Sequence, residues 1–278
     1  MAPAEDPSSR DTCVGSSRVV PVGMRSHRFV DLTWEEVRGL DRARAVAILP
    51  VGATEAHGPH LPLDTDVTIA EAMAHAGAVR LAKRGLVPLV LPPISYSPAP
   101  FAAAFPGTIT VGAATMAATI TDVATSLHRA GIGTLALANS HFDPAHLEAL
   151  HAVTEALVRR GLLTVAFPDV TRKPWGSRLT EEFKSGACHA GQYEGSVVLA
   201  REPERVRVDI MAELAPNPSS LSQAIGDGAR TFADAGGPRA YFGYPAAATP
   251  EEGEETTRAL GAILDEAVIE ARGEREPT

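Results

Sequence analysis

Short apolar runs alternate with longer amphipathic segments along most of the chain. The apolar runs are rich in Ala, Val, Leu and Ile and are bounded by Gly or Pro, a pattern typical of strands buried on both faces. We predict strands at residues 43–52, 86–94, 132–139 and 162–170, and helices at residues 66–85, 115–131 and 144–161. Strands that alternate with helices of this length imply βαβ crossovers. The pattern therefore predicts an α/β fold with a mainly parallel sheet.

Later parts of the chain have a less regular pattern. Residues 171–191 are polar and irregular and contain Trp175, and we expect a helix to follow at residues 192–201. Residues 251–278 are predicted to form an amphipathic helix with a charged end.

The N-terminal segment differs from the rest in composition. Residues 1–27 lack the apolar stretch of a signal peptide, and we expect them to form a disordered tail. No polar linker divides the remainder, so we predict a single domain over residues 28–272. No window approaches the roughly 20 apolar residues of a membrane span.

Composition narrows the function classes. Hydrophobic residues make up 45% of the chain and aromatic residues only 5%, so a large core must be built from aliphatic side chains. The net charge of −9 argues against a nucleic-acid or anionic-membrane partner. Two cysteines, Cys13 and Cys188, are too few for a disulfide framework and favour a reducing compartment. We therefore expect a soluble, cytoplasmic protein.

Polar side chains follow two of the predicted strands. Glu55, His57 and Asp66 come after the first strand, and His141 and Asp143 come after the third. In open α/β sheets, ligands bind outside the carboxyl ends of the strands. Two His–carboxylate pairs at a spacing of two, with one more carboxylate, supply enough ligands for two divalent metal ions. Imidazole and carboxylate suit zinc, manganese or iron better than calcium or magnesium.

Three of these residues have a simpler interpretation. Asp66 starts a predicted helix and is also suited to be its N-cap. Glu55 fits an exposed loop acid, and His141 fits a buried histidine of the core. The neighbouring His60 and Asp64 are interpreted as structural or supporting residues. Four further histidines are interpreted as ordinary helix residues: His75, His128, His146 and His151.

A third polar stretch, "HAGQYEGS", begins at His189 and opens a predicted helix. One interpretation is a capping arrangement, with Glu194 in the first turn favoured by the helix dipole. The other is a general acid/base, His189, with Glu194 as a metal ligand or an orienting carboxylate. No Walker A, HExxH, GxSxG or paired CxxC motif is present to indicate another chemistry.

Four stretches together resemble the creatininase (creatinine amidohydrolase) family. They are "LPVGATEAHGPHLPLDTD", "FPGTI", "NSHFDPAH" and "HAGQYEGS", in this order between about residues 47 and 200. The resemblance implies a three-layer α/β/α sandwich, a homohexamer and a metal-dependent hydrolase of C–N bonds in cyclic or simple amides. It makes Glu55, His57, Asp66 and His141 metal ligands, with Asp66 bridging two ions.

The resemblance also suggests roles around these ligands. Asp143 stands where creatininase carries a ligand Glu, which implies the full two-metal centre of the creatininase type. His189 matches the histidine beside the substrate, and Trp175 falls where creatininase has a loop that covers the substrate. Phe142 replaces a Tyr between the creatininase ligands. Residues 95–106 hold no His or acid, so the wall of the pocket differs from the family pattern.

The sequence therefore predicts hydrolysis of a small cyclic amide or lactam, a C–N bond other than a peptide bond, through a hydroxide that bridges two metal ions. His189 would protonate the leaving nitrogen, and Glu194 or Asp143 would steer protons. A deformylase or a peptide-trimming hydrolase of the same family is the alternative, and a larger open pocket would favour the peptide version. A non-catalytic metal-binding homologue is the remaining hypothesis.

Overall fold

A four-stranded parallel sheet lies at the centre of the molecule. The computed structural model describes residues 27–274, so the predicted tail lies outside the described residues except for His27. The strands are β1 (Ala45–Val51), β2 (Val87–Val90), β3 (Thr134–Asn139) and β4 (Thr164–Ala166), in the order β2-β1-β3-β4. All three pairings are parallel, as the pattern of alternating strands and helices predicted.

The described residues form five long α-helices and four short ones. The long helices are α2 (Thr65–Lys83), α3 (Ala113–Arg129), α4 (Pro144–Arg160), α6 (Gln192–Arg201) and α9 (Pro250–Ala271). The short ones are α1 (Trp34–Arg38), α5 (Glu181–Ser185), α7 (Val208–Ala212) and α8 (Leu221–Gly226). Each predicted long helix is present, with ends displaced by a few residues.

Side chains of alternate strand residues point into two separate cores. Val46 and Ile48 of β1 pack with α2, α6 and α9 on one face of the sheet. Ala47 and Leu49 pack on the opposite face with α3 and α4. Successive side chains of a strand alternate between faces, so a strand that is buried throughout must be covered on both sides. The three-layer α/β/α sandwich is confirmed.

Two strand predictions were too long. β2 ends at Val90 because Pro92 and Pro93 follow and cannot donate to a sheet ladder. β4 spans three residues at the edge of the sheet rather than residues 162–170. The irregular segment at residues 171–191 contains the short helix α5, which the sequence pattern did not indicate.

The connections reverse direction at the middle of the sheet. From β1 the chain passes to β2 on one side and then returns to β3 on the other. β1 and β3 are neighbours whose register runs to the pair Val51–Asn139 at their carboxyl ends. Such a switch point opens a crevice beyond the strand ends. The polar residues that follow β1 and β3 lie there.

No helix within residues 27–274 is long and apolar enough to cross a membrane.

Candidate metal centre

A close approach of two backbone segments brings the first ligands together. The chain leaves β1 at Gly52, where an added Cβ would lie 2.6 Å from the Val67 nitrogen and 2.8 Å from the Asp66 carbonyl carbon. Only glycine therefore lets the start of α2 pack directly against the end of β1. The first turn of α2 holds Asp66, and Asp64 is the N-cap residue, although its side chain makes no capping bond. The N-cap interpretation of Asp66 is thus wrong.

Six buried side chains converge beyond β1 and β3 in three overlapping groups. Glu55, His57 and His189 form one of them, and the other two share Asp66. In one of these two, His141 Nδ1 lies 2.9 Å from Asp66 Oδ2 and 3.2 Å from Glu55 Oε1. In the other, His57 Nε2 lies 3.1 Å from Asp66 Oδ1 and 3.5 Å from Glu194 Oε2. The ligand atoms of each group lie within 4.8 Å of one another. Each oxygen of Asp66 therefore faces a different group.

The second ring nitrogen of each site histidine lies against a backbone carbonyl. His57 Nδ1 is 3.1 Å from Glu55 O, His141 Nε2 is 2.8 Å from Pro98 O, and His189 Nε2 is 3.0 Å from Ala56 O. When a ring is neutral, its carbonyl accepts this N–H, which leaves a lone pair for a metal ion on the nitrogen that faces the carboxylates. Metal-binding histidines are oriented in this way.

Buried carboxylate oxygens at the site also favour a bound cation. Glu55 Oε2 is buried with no hydrogen-bond partner among the described residues, and the buried Asp66 Oδ2 faces the ring nitrogen of His141. Buried lone pairs that face each other are costly unless a proton or a metal ion lies between them. The donor set of imidazole nitrogens and carboxylate oxygens fits zinc, manganese or iron.

Ionisation of the cluster follows from burial and close opposite charges. Burial disfavours charge on His57, but the carboxylates of Asp66 and Glu194 outweigh it and raise the pKa of His57 to about 10. Burial raises the pKa of Glu194 to about 8. Protons therefore take the place of metal ions in the metal-free protein, and metal binding releases them.

The predicted ligand Asp143 lies outside all three groups. It is the N-cap of α4, where its Oδ1 accepts the N–H of Ala145 at 2.9 Å and its Oδ2 accepts the N–H of Phe101 at 3.1 Å. Both oxygens of this short side chain are therefore engaged by the backbone. Glu194 occupies the place beside His57 and Asp66 instead.

Of the three residues predicted to face the substrate, His189 and Phe142 lie at the site and Trp175 does not. His189 Nδ1 lies 3.9 Å from Glu55 Oε1, and its ring stacks on Phe232 with centroids 4.2 Å apart. Burial holds the pKa of His189 well below its usual range, so the ring is neutral. Phe142 lines the cavity above the site, whereas Trp175 packs against the core on the α2 face and is not a lining residue. The neighbours of Trp175, Gly176 and Ser177, line the cavity in its place.

A family model described as "Creatininase: Creatinine amidohydrolase" matches residues 30–268. The chain belongs to the creatininase family. A "Mycofactocin precursor peptide peptidase" of Mycobacterium ulcerans (strain Agy99) is 32% identical over 225 residues, which cover 80% of this chain and 82% of the relative. A "Creatinine amidohydrolase" of Pseudomonas putida is 27% identical over 204 residues, which cover 67% and 76%.

Solved creatininase structures share the fold. A structure described as "Creatininase Mn" superposes with a TM-score of 0.67 at 25% identity, and the match covers 88% of this chain and 98% of that one. The structure of a mutant creatininase described as "Zn-Zn type" gives a TM-score of 0.64 at 24% identity, with the same coverage. Members of the family have thus been solved with manganese and with zinc.

Several supporting residues of this creatininase-family site escaped the sequence prediction. Asn139 Nδ2 donates to the carbonyl of His141 at 2.8 Å, and Asn139 Oδ1 accepts from His146 Nε2 at 2.8 Å. His146 was interpreted as an ordinary helix residue but is fully buried. The Ser140 hydroxyl donates to the carbonyl of Asp66. Their position within or just after "NSH" was the available signal.

His60 and Asp64, interpreted as structural, lie beside the centre rather than in it. His60 is fully buried at the edge of the Tyr241 ring, with centroids 6.4 Å apart. Asp64 makes a half-exposed ion pair with Arg205, with Nη2 and Oδ1 2.5 Å apart.

A cavity of about 660 Å³ extends from the metal centre to the surface. Four aromatic rings line this cavity: Phe101, Phe142, Phe183 and Phe232. Helix α8 and the segment after it add Leu221, Ile225 and Phe232 to this wall, although the sequence offered no signal for residues 202–250.

The close packing at Gly52 leads to the first prediction. We expect Gly52→Ala to lower the free energy of unfolding by about 1–3 kcal/mol, the usual cost of overpacking, and to weaken metal binding because the added methyl group displaces Asp66. Thermal unfolding and metal titration measure the two effects. Gly133→Ala is the matched control, since no heavy atom lies within 4 Å of its added Cβ. Equal stability and metal affinity in both variants would contradict the prediction.

Proposed function

We propose that this creatininase-family chain is a metal-dependent hydrolase that cleaves an amide bond of a short peptide. The observation that carries the proposal is the cavity of about 660 Å³ above the metal centre. This volume is typical of sites for ligands of drug size, and a single five-membered ring would leave much of it filled with water. The 32% identity with a precursor-peptide peptidase supports the same choice. A short peptide therefore replaces the small cyclic amide as the favoured substrate.

The two groups that share Asp66 would hold two divalent ions. When bound, such ions polarise a carbonyl and lower the pKa of water so that it attacks near neutral pH. Glu55 and His141 would hold one ion, and His57 and Glu194 the other. Asp143 keeps the backbone of Phe101 in place at the cavity wall.

His189 is the residue that we propose moves the proton. Its Nε2–H is held by the carbonyl of Ala56, so Nδ1 is free to accept a proton on the side that faces Glu55. Its low pKa keeps the ring neutral, so Nδ1 carries the lone pair that takes a proton from the attacking water. The proton then passes to the nitrogen that leaves when the C–N bond breaks. Stacking on Phe232 fixes the plane of the ring during the transfer.

Hydrolysis of a cyclic amide stays the second candidate, because the creatinine amidohydrolase of Pseudomonas putida is also similar to this chain. The homohexamer and the cytoplasmic location stay predictions from the sequence.

A substrate panel tests the proposal. The protein is stripped with a chelator, reloaded with zinc or manganese, and offered short peptides, lactams, hydantoins and formamides. We expect peptide hydrolysis that disappears on chelation and returns with metal. Turnover of rings alone would overturn the peptide proposal in favour of the second candidate. Metal binding without any turnover would leave a non-catalytic homologue.

A further inference from the structure

The outer part of the cavity carries three basic side chains. Arg172, Lys173 and Lys184 line it, two of them on the segment after β4 and one on α5. The carboxylates that line the same cavity are the proposed metal ligands and Asp143, which is bonded to the backbone of Phe101. The cavity therefore has separate ends, one suited to metal ions and one positively charged, in a chain whose net charge is −9.

These basic groups are available to a ligand. Arg172 pairs with Asp169 at 3.1 Å and Lys184 with Glu181 at 2.5 Å, both at a spacing of three residues. The Lys184–Glu181 pair is weak because the Glu181 side chain is 92% exposed. The Arg172 side chain is 67% exposed, so its guanidinium stays accessible although Asp169 is buried. Lys173 is exposed and makes no ion pair with any residue of the described range 27–274.

Apolar walls join the two ends. Phe142 and Phe183 meet edge to face with centroids 5.6 Å apart, and Phe101 and Phe232 lie 6.0 Å apart. A ligand that fills this cavity places a carbonyl at the metal centre, an apolar side chain between the rings and an anionic group among the basic side chains. A peptide with a free C-terminus and an apolar last residue has these three parts.

We propose that Lys173, with Arg172 and Lys184, forms an anion subsite that binds the free carboxylate of the substrate. This inference rests on the proposed function, since it names the part of a peptide that the outer cavity selects. Basic side chains at the mouth of an apolar cleft also attract anionic substrates during encounter. A C-terminally amidated peptide offers them no charge.

Paired ligands that differ only in this charge test the subsite. Acetyl-phenylalanine and acetyl-phenylalaninamide are titrated into the metal-loaded protein by calorimetry. We expect the carboxylate to bind about tenfold more tightly, a difference that added salt reduces. Lys173→Gln should remove most of this preference. Arg160→Gln should keep it, because Arg160 is exposed on α4 away from the cavity.

A carboxylate that binds the metal ions instead would give a preference that persists in Lys173→Gln and in the triple variant of Lys173, Arg172 and Lys184. That result, or equal affinities in the unmodified protein, would overturn the subsite. Turnover of the same peptide with a free or an amidated C-terminus separates the two proposals. Charge-selective binding without turnover would contradict the proposed function alone, and turnover without charge preference would contradict the subsite alone.

Discussion

Asp66→Asn is expected to abolish binding of both metal ions and to reduce turnover by more than about 100-fold, since changes to groups that merely support a metal ligand already cost 10–100-fold. Asp66 is the only residue common to the Glu55–His141 and His57–Glu194 groups. Its Oδ2 faces His141 at 2.9 Å and its Oδ1 faces His57 at 3.1 Å. An asparagine keeps one oxygen, carries no charge and turns an NH₂ group towards one of the ions.

The metal content of the purified variant, measured by mass spectrometry after dialysis, checks this expectation without relying on activity. Asp64→Asn is the control, because it makes the same change two residues earlier. Asp64 is half-exposed and pairs with Arg205, so its loss should cost about 1 kcal/mol or less and leave the metal content unchanged. Asp66→Asn protein that retains two ions would contradict the shared-ligand assignment.

The site residues that could be predicted from the sequence are those that follow closely after a strand in the chain. Glu55 and His57 follow one strand, and His141 follows its neighbour. The carboxyl ends of parallel strands meet at one edge, so a correct strand assignment places these side chains together. Asp66 returns to the same place because Gly52 admits the start of α2.

Other assignments depend on contacts that no local pattern records. Asp143 and Glu194 are both acids at a helix start, and only the tertiary structure shows that the backbone engages the first while the second faces His57. Trp175 was expected to cover the substrate, yet it packs against the core. Phe232 reaches the site from a segment that has neither strand nor long-helix periodicity.

Glu182 is the clearest case of a residue whose sequence context hides its role. In "EEFKS" it is one of two adjacent acids at the start of a short helix, but it is buried whereas Glu181 is exposed. Its carboxylate accepts the backbone N–H groups of Gln192 at 2.9 Å, Tyr193 at 2.7 Å and Tyr244 at 2.7 Å. It therefore fixes the N-terminus of α6, immediately before Glu194.

We expect Glu182→Gln to lower the free energy of unfolding by about 2–4 kcal/mol, because an amide has one acceptor oxygen for three backbone donors, and each buried N–H left unsatisfied costs about 1–3 kcal/mol. The loosened start of α6 should displace Glu194 from His57 and leave Glu55 and His141 in place. The metal content should thus fall from two ions to about one, in contrast to the loss of both in Asp66→Asn.

Glu181→Gln is the matched control for this second variant, since it makes the same change at the adjacent residue, whose side chain is 92% exposed. Its stability should change by less than about 0.5 kcal/mol, and its metal content should not change. Thermal unfolding and metal analysis of the two variants, side by side, decide the role of Glu182. If Glu182 positions Glu194, loss of its bonds to α6 must also cost the second ion. Full metal occupancy in a destabilised Glu182→Gln protein would therefore mean that Glu182 stabilises the fold and does not position Glu194.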